Sequence, residues 1–526
     1  MRGKSHPRFV LMMKHQKYLR SYLPPMILAV STLCVYLTTM APGLTWANDG
    51  VDGGDLITAA ATGGVPHPTG YPSYLLIARL FQMIPLGNLA YRTNLLSALA
   101  TVLAALFIYF LVIRSLSTTE SASEWQAGLF AGYAYSLSPI VWSQAVITEV
   151  YSLHAFFILL IMYLVFYPPP FLSRSSLLLD AISGLVMGLA IGNHLTTVLL
   201  VPGVLLVSCI KPKTDPTLAA SPARSGLLKN MYIKWDSLLR ILFWFGIGCL
   251  IYLILPLRAM NQPPLNWGNP VTMEGFWWIV SGQLYQAGYL QITFIEFMSR
   301  IQPLVGTYLQ QFGIPGMIFG ILGLIVYFKP SKLYLLMIWM IFSYSTFSCL
   351  YSSQDSYVYL IPAIIAFVIC MGLGIGGLRY VFVAKAKVLW VNLIVLSFIY
   401  IFVFAISHWK QVDASQDFLA EEFGRETVEN LPGEAIVFLQ GDKAVFTLWY
   451  YHYALHERTD ITLIATDLLQ YDWYQEVLKS NYPSLILPEK FTTPLTIPSK
   501  NLGRPYCYIQ YFQTGEMNCV GENNPY

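Results

Sequence analysis

The feature that most constrains this chain is the recurrence of apolar runs about as long as a bilayer is thick. A hydrocarbon core about 30 Å across takes roughly 20 helical residues at about 1.5 Å each, and lipid leaves no other partner for the backbone. Runs of that kind, bounded by charge, Pro or Gly, fall at 24–43, 91–113, 126–142, 150–168, 175–191, 195–210, 239–257, 304–328, 332–350, 357–377 and 388–407. The expected fold is mainly α: a polytopic membrane helical bundle of about 11 transmembrane helices over residues 1–407, then a small extracytoplasmic α/β domain over 408–526. Composition agrees, since only 11% of the 526 residues are charged while 56% are hydrophobic, against about 25% charged in soluble proteins. That excludes a soluble enzyme and a disordered chain. A net charge of +3 is too small for a protein held by nucleic-acid phosphates.

Lys and Arg collect on the cytoplasmic side of membrane proteins, which orients the bundle. With the N-terminus cytoplasmic, the loops on that side hold 19 Lys and Arg, while the opposite loops hold 4, namely Arg79, Arg92, Arg258 and Arg300. The C-terminal part then lies outside. A basic start, an apolar run and Thr45-Trp46-Ala47 weakly imitate a cleaved signal peptide, but the length of the run favours a retained span.

In the tail, residues 434–439 and 461–465 read as strands, Gly441-Asp442 as a turn and 446–455 as a helix. Pro483, Pro488, Pro494, Pro498 and Pro505 suggest irregular chain packed on something. Cys507 and Cys519 fall in this extracytoplasmic part, where a disulfide is permitted. No Gly-rich phosphate loop and no paired Cys/His metal spacing occurs, so the expectation is a site with neither metal nor cofactor.

The polar residues that an inert bundle would not need gather on the outer side. Asp49, Asp52 and Asp55 lie within seven residues on a Gly-rich stretch, followed by His67-Pro68-Thr69-Gly70-Tyr71-Pro72. A solvated acidic turn or a calcium-type loop would explain the carboxylates alone. Other outer boundaries carry Glu149-Val150-Tyr151, Asn193-His194, Arg258, Asn266-Trp267-Gly268, Gln283 and Gln354-Asp355. Each has an innocent reading at a membrane interface. Together they suit transfer of a sugar from a lipid phosphate to a water-side acceptor. An Asp takes the proton of an acceptor hydroxyl as it attacks the anomeric carbon from the face opposite the leaving phosphate. Arg258 with His67 or His194 supplies partners for that phosphate. This expects the acidic stretch and Arg258 to share one water-facing pocket.

At these residues the chain resembles a known family. Asp52-Gly53-Gly54-Asp55-Leu56-Ile57, His67 to Pro72, Arg92-Thr93-Asn94-Leu95-Leu96-Ser97, Glu149-Val150-Tyr151, Gly192-Asn193-His194, Leu255-Pro256-Leu257-Arg258, Asn266-Trp267-Gly268 and Asp355 are similar to a polytopic family catalogued as domain of unknown function number 2723. Gly441-Asp442 and Trp449-Tyr450 of the tail add a weaker likeness. That family is placed with GT-C-fold glycosyltransferases, and its animal members resemble protein O-mannosyltransferases.

The resemblance implies an integral membrane, inverting glycosyltransferase using a polyprenyl- or dolichyl-phosphate sugar, with a protein or glycan acceptor, in a bacterial plasma membrane or an endoplasmic reticulum. Its acidic pair falls on Asp52 and Asp55, the latter an Asp where the family has Glu, and Thr69 stands where the family has Pro. Asp52 is expected to be the base and Asp55 its partner or an acceptor-positioning group. His67, Tyr71, Glu149, Tyr151, Asn193, His194, Arg258, Asn266, Trp267, Gln283 and Asp355 are expected to bind substrate. The competing readings are a transporter or flippase of lipid-linked intermediates, which would carry its polar residues near the midplane in repeated halves, and a non-enzymatic assembly subunit whose tail binds a partner.

Overall fold

A computed structural model describes residues 7–116, 124–212, 231–288, 292–326, 331–351, 353, 355–382, 387–488, 496–511 and 516–520. Seven helices among them are long and apolar enough to cross a membrane: Tyr22–Thr39, Leu89–Leu116, Trp235–Ala259, Phe294–Ile325, Lys332–Leu350, Ser356–Leu378 and Val388–Val412. Three shorter apolar helices, Tyr151–Phe166, Ser176–Ile191 and Leu195–Cys209, coincide with three further expected spans. The run expected at 126–142 is broken into Glu124–Ser136 and Pro139–Ala145, because Pro139 cannot donate a helical hydrogen bond. The chain is an integral membrane protein.

Packing sorts these helices. Ser356–Leu378 is the hub, with 94% of its apolar window buried, whereas Trp235–Ala259 keeps only 22% buried and turns outward. That outer helix is held to Ser176–Ile191 by close backbone approach: a Cβ on Gly188 would stand 2.4 Å from Phe245 O. In lipid, where burial of apolar surface drives nothing, such small-residue seams hold helices together. Asp180 completes the pairing by accepting from Arg240 Nη2 and Ser237 Oγ, both at 2.8 Å.

The tail forms a four-stranded sheet in the order Thr462–Ala465, Ile436–Gln440, Tyr506–Gln510, Glu516–Val520. The first three strands are parallel and the last is antiparallel. Cys507 and Cys519 face each other in that antiparallel register and are joined by a disulfide. The strand at 436–440 is the one read from 434–439, and helix Asp442–Trp449 runs into a wider turn through Ala454. The Pro-rich stretch is irregular at 482–488 and helical at Thr496–Lys500, while Pro494 lies outside the described residues.

This cap sits on the loop that follows the first span. Asp417 accepts from Trp46 N at 3.0 Å and Ala47 N at 2.8 Å, and Asn48 Nδ2 donates to Val412 O at 3.0 Å. Gly54 lets helix Asp442–Trp449 come down onto the loop, since a Cβ there would stand 2.6 Å from Phe446 O.

Candidate active site

The loop after the first span folds as a short turn, Ala47–Asp52, leading straight into helix Gly53–Thr62. Asn48 and Asp49 take left-handed backbone at φ 56° and 60°, which short polar side chains tolerate better than others. The chain then returns through Val65, whose N–H donates to Leu265 O at 2.9 Å and whose carbonyl accepts from Trp267 N at 3.1 Å. That pairing carries Trp267 and His67 to the same place.

Asp55 is fully buried and saturated. Its Oδ2 accepts from His67 N at 2.9 Å and lies 2.7 Å from His67 Nδ1, while its Oδ1 accepts from Trp267 Nε1 at 3.1 Å. His67, itself buried, points its other nitrogen at Asp52, with Nε2 to Oδ2 3.6 Å. Asp52 keeps 45% of its side-chain surface open. The three groups form a line in which one carboxylate is spent on orienting the imidazole and the other remains available.

Their electrostatics follow from this line. Burial disfavours a charged imidazole, but Asp52 and the hydrogen bond the ring donates to Asp55 outweigh it and push His67 up to about 9. Loss of water raises Asp52 to about 6; His67 opposes the rise while Asp442, Asp55 and Asp355 add to it. At neutral pH the site therefore holds an imidazolium between carboxylates. Glu149 is buried and its carboxyl is pushed well upward, first by burial and then by Asp52, with the Val150 N–H at 3.3 Å in the opposite sense.

A cluster of rings continues from His67. Tyr71 stands edge-on at 5.1 Å between centroids and reaches His194 at 6.3 Å. His194 is packed against Tyr151 at 5.4 Å and Tyr359 at 5.7 Å. Its Nδ1 lies 2.7 Å from Thr196 Oγ1, and with no carboxylate beside it burial lowers it to about 3. Asn193 anchors the same corner by donating to Val150 O at 3.2 Å, and its buried Oδ1 has no partner among the described residues. Asp355 heads the turn Ser356–Leu360, bonded to Ser353 Oγ, within electrostatic range of Asp52 and Glu149. Gln354 lies outside the described residues.

Three expected residues stand apart from the acids. Arg258 Nη1 donates to Gly64 O at 2.9 Å, beyond the far end of a ten-residue helix from Asp52, about 15 Å along its axis. It braces the turn that carries His67 and neighbours Arg79 rather than Asp52. Asn266 donates to Asn269 Oδ1 at 3.1 Å beneath the cap, with its own Oδ1 buried and unpartnered among the described residues. Gln283 is exposed at the start of the turn Gln283–Gly288. That turn nonetheless borders the site through Tyr285, whose phenol is raised by burial and then by Asp52 and Asp55.

Sequence reasoning missed Tyr285, Tyr359 and the underside of the cap. Phe446 stacks on His67 at 6.3 Å with planes 17° apart, and Trp449 and Trp473 pack on Trp267 at 6.1 and 5.8 Å. Asp442 faces the same groups, its carboxyl raised by burial and lowered by His67. The Gly441-Asp442 and Trp449-Tyr450 likeness was the signal that could have found them.

With the geometry in hand, similarity to known proteins is specific in both parts of the chain. Residues 52–217 match the family described as Protein O-mannosyl-transferase TMEM260 N-terminal domain, and residues 420–514 match TMEM260-associated domain 2. In both segments the chain is similar to TMEM260 proteins. Mouse Protein O-mannosyl-transferase TMEM260 is 26% identical over 469 residues, covering 84% of this chain and 62% of that protein. The Dictyostelium discoideum protein of the same name is 23% identical over 502 residues, covering 85% and 58%. The chain thus spans about three fifths of the length of these TMEM260 relatives. ArnT from Cupriavidus metallidurans bound to undecaprenyl phosphate superposes with a TM-score of 0.56 over 92% of both chains at 14% identity, a likeness of fold. The first matched segment opens at Asp52 and includes His67, Tyr71, Glu149, Tyr151 and His194, and the second includes Asp442 and Phe446.

Proposed function

We propose that this protein is an inverting hexosyltransferase that moves a hexose, mannose by the relatives' names, from a polyprenyl- or dolichyl-phosphate carrier to an extracytoplasmic hydroxyl on a protein or glycan. The observation that carries the reading is the line Asp52, His67, Asp55, in which an open carboxylate sits beside a positively charged imidazole locked by a buried one. Asp52 takes the acceptor's proton as the acceptor oxygen bonds to the anomeric carbon, and the carbon–oxygen bond to phosphate breaks with its electron pair left on the phosphate. His67 offsets the negative charge gathering there. Asp55, its oxygens already occupied, is a positioning residue.

Tyr71, Tyr151, His194 and Tyr359 offer ring faces for the apolar side of a sugar, and Glu149 a hydrogen-bonding group for its hydroxyls. Because the positive charge comes from a side chain, the reading needs no metal or cofactor. Two relatives named protein O-mannosyl-transferase, and a fold neighbour solved with undecaprenyl phosphate, support a lipid-linked donor and a protein acceptor. The Cys507–Cys519 disulfide supports a cap on the oxidising side of the membrane, with the N-terminus cytoplasmic, in a bacterial plasma membrane or an endoplasmic reticulum.

The test is Asp52→Asn, assayed with a radiolabelled lipid-phosphate mannose and a hydroxyl acceptor. We expect kcat to fall roughly 1,000-fold while detergent extraction and thermal melting match the wild type. Full turnover by this variant overturns the assignment.

A further inference from the structure

Polar side chains also line the other side of the Ser356–Leu360 turn, where they take no part in the arrangement above. There Asn48, Gln310, Gln311 and Gln411 bring four amides around a cavity of about 620 Å³ that also includes Asp49 and Tyr357. A cavity of about 400 Å³ adjoins it through shared walls at Thr307 and Tyr357, so the space is elongated. Two of the amides are spent on the fold: Gln311 Oε1 accepts from Ile140 N at 2.8 Å, and Asn48 Nδ2 donates to Val412 O at 3.0 Å. Gln310 and Gln411 are exposed and make no hydrogen bond among the described residues.

Two features tie this cleft to the reacting carboxylate. Asp49 precedes Asp52 on the same short turn and accepts the Tyr357 hydroxyl at 2.6 Å. Tyr359, on the same turn as Tyr357, packs instead on Tyr151 at 5.8 Å and His194 at 5.7 Å. The turn is therefore a partition, with the amide cleft on its Tyr357 side, the ring cluster on its Tyr359 side and Asp355 at its head. A one-step displacement requires such a division, because the attacking oxygen must arrive on the face opposite the leaving phosphate.

We propose that this cleft seats the acceptor as an extended polypeptide and delivers one of its Ser or Thr hydroxyls to Asp52. The inference rests on the glycosyl-transfer reading above and adds the occupant and its place. An extended backbone presents N–H and C=O groups that side-chain amides match in both senses. A glycan calls for open aromatic faces, and Trp46 on this cleft is already covered, with Lys443 Nζ at 5.1 Å, Tyr511 at 4.4 Å and Phe423 at 5.4 Å from its ring.

The probe is a fluorescent Ser/Thr-containing peptide titrated onto the Asp52→Asn protein in nanodiscs, with and without Gln310→Ala and Gln411→Ala together. Neither glutamine side chain makes a hydrogen bond among the described residues, so the double variant should melt as its parent does. We expect the peptide Kd to rise about tenfold on losing both amides. In the otherwise wild-type enzyme, KM for the peptide should rise by the same factor while KM for the lipid-linked sugar and kcat hold. An unchanged peptide Kd overturns the cleft even if sugar transfer proceeds, and so does a rise confined to the donor KM. Binding of an oligosaccharide that outcompetes the peptide and is lost in the same variant makes the occupant a glycan and overturns the polypeptide. Peptide binding that depends on these amides in a wild-type protein that transfers no sugar supports the cleft and defeats only the transferase reading.

Discussion

Two histidines in this protein are almost equally buried, at 4% and 6% exposure, yet one is charged and the other neutral. His67, held between Asp52 and Asp55, stays protonated to about pH 9, whereas His194, set among a threonine hydroxyl and aromatic rings, is lowered to about 3 by burial alone. Burial by itself always disfavours the cation, so the difference lies in whether a carboxylate is fixed beside the ring. The site is thereby divided into a charged compartment, which the proposed function assigns to the proton and the phosphate's charge, and a neutral one, which it assigns to the body of the sugar.

Removing the counter-charge should erase the difference. Asp55→Asn keeps the shape but leaves His67 beside one carboxylate, so we expect kcat to fall about 100-fold and the alkaline limb of the pH profile to move below about 9. A profile that keeps its alkaline limb in place would show that Asp55 does not set the charge of His67. In the wild type, Asp52 must be ionised, so the rate rises as pH increases through about 6; His67 must be protonated, so it falls as pH passes about 9. A single-limbed profile of kcat/KM would break the pairing.

The neutral compartment should respond differently. His194→Gln removes a ring face without removing charge, and we expect KM for the lipid-linked sugar to rise about fivefold to tenfold with both pH limbs unmoved. A shifted limb would place a proton on His194 that the comparison denies it. The smallest expected effect is that of EDTA, which should leave the rate of the purified protein unchanged. Loss of activity on chelation, restored by a divalent cation, would take the positive charge away from His67.

Much of this was legible in the sequence. The apolar runs gave the spans because a bilayer imposes one length on every crossing helix, although the break at Pro139 divides one of them. Asp52, Asp55 and His67 were singled out by the resemblance of 52–57 and 67–72 to a known family, since a solvated acidic turn would explain the carboxylates alone. The role of Arg258 was not readable: its guanidinium grips Gly64 O, and only the direction of helix Gly53–Thr62 reveals how far that is from Asp52. Nor was the cap, whose Phe446 reaches His67 through a close approach at Gly54 that leaves no periodic trace.

The sequence alone determined that this chain lives in a membrane, because solvent transfer acts on each segment where it stands. Which carboxylate is spent and which is open was decided only in three dimensions. Trp267, 212 positions away along the chain, donates to Asp55 and not to Asp52. Hydrogen bonds over such separations depend on where folded elements meet, and that meeting is a property of the packed whole.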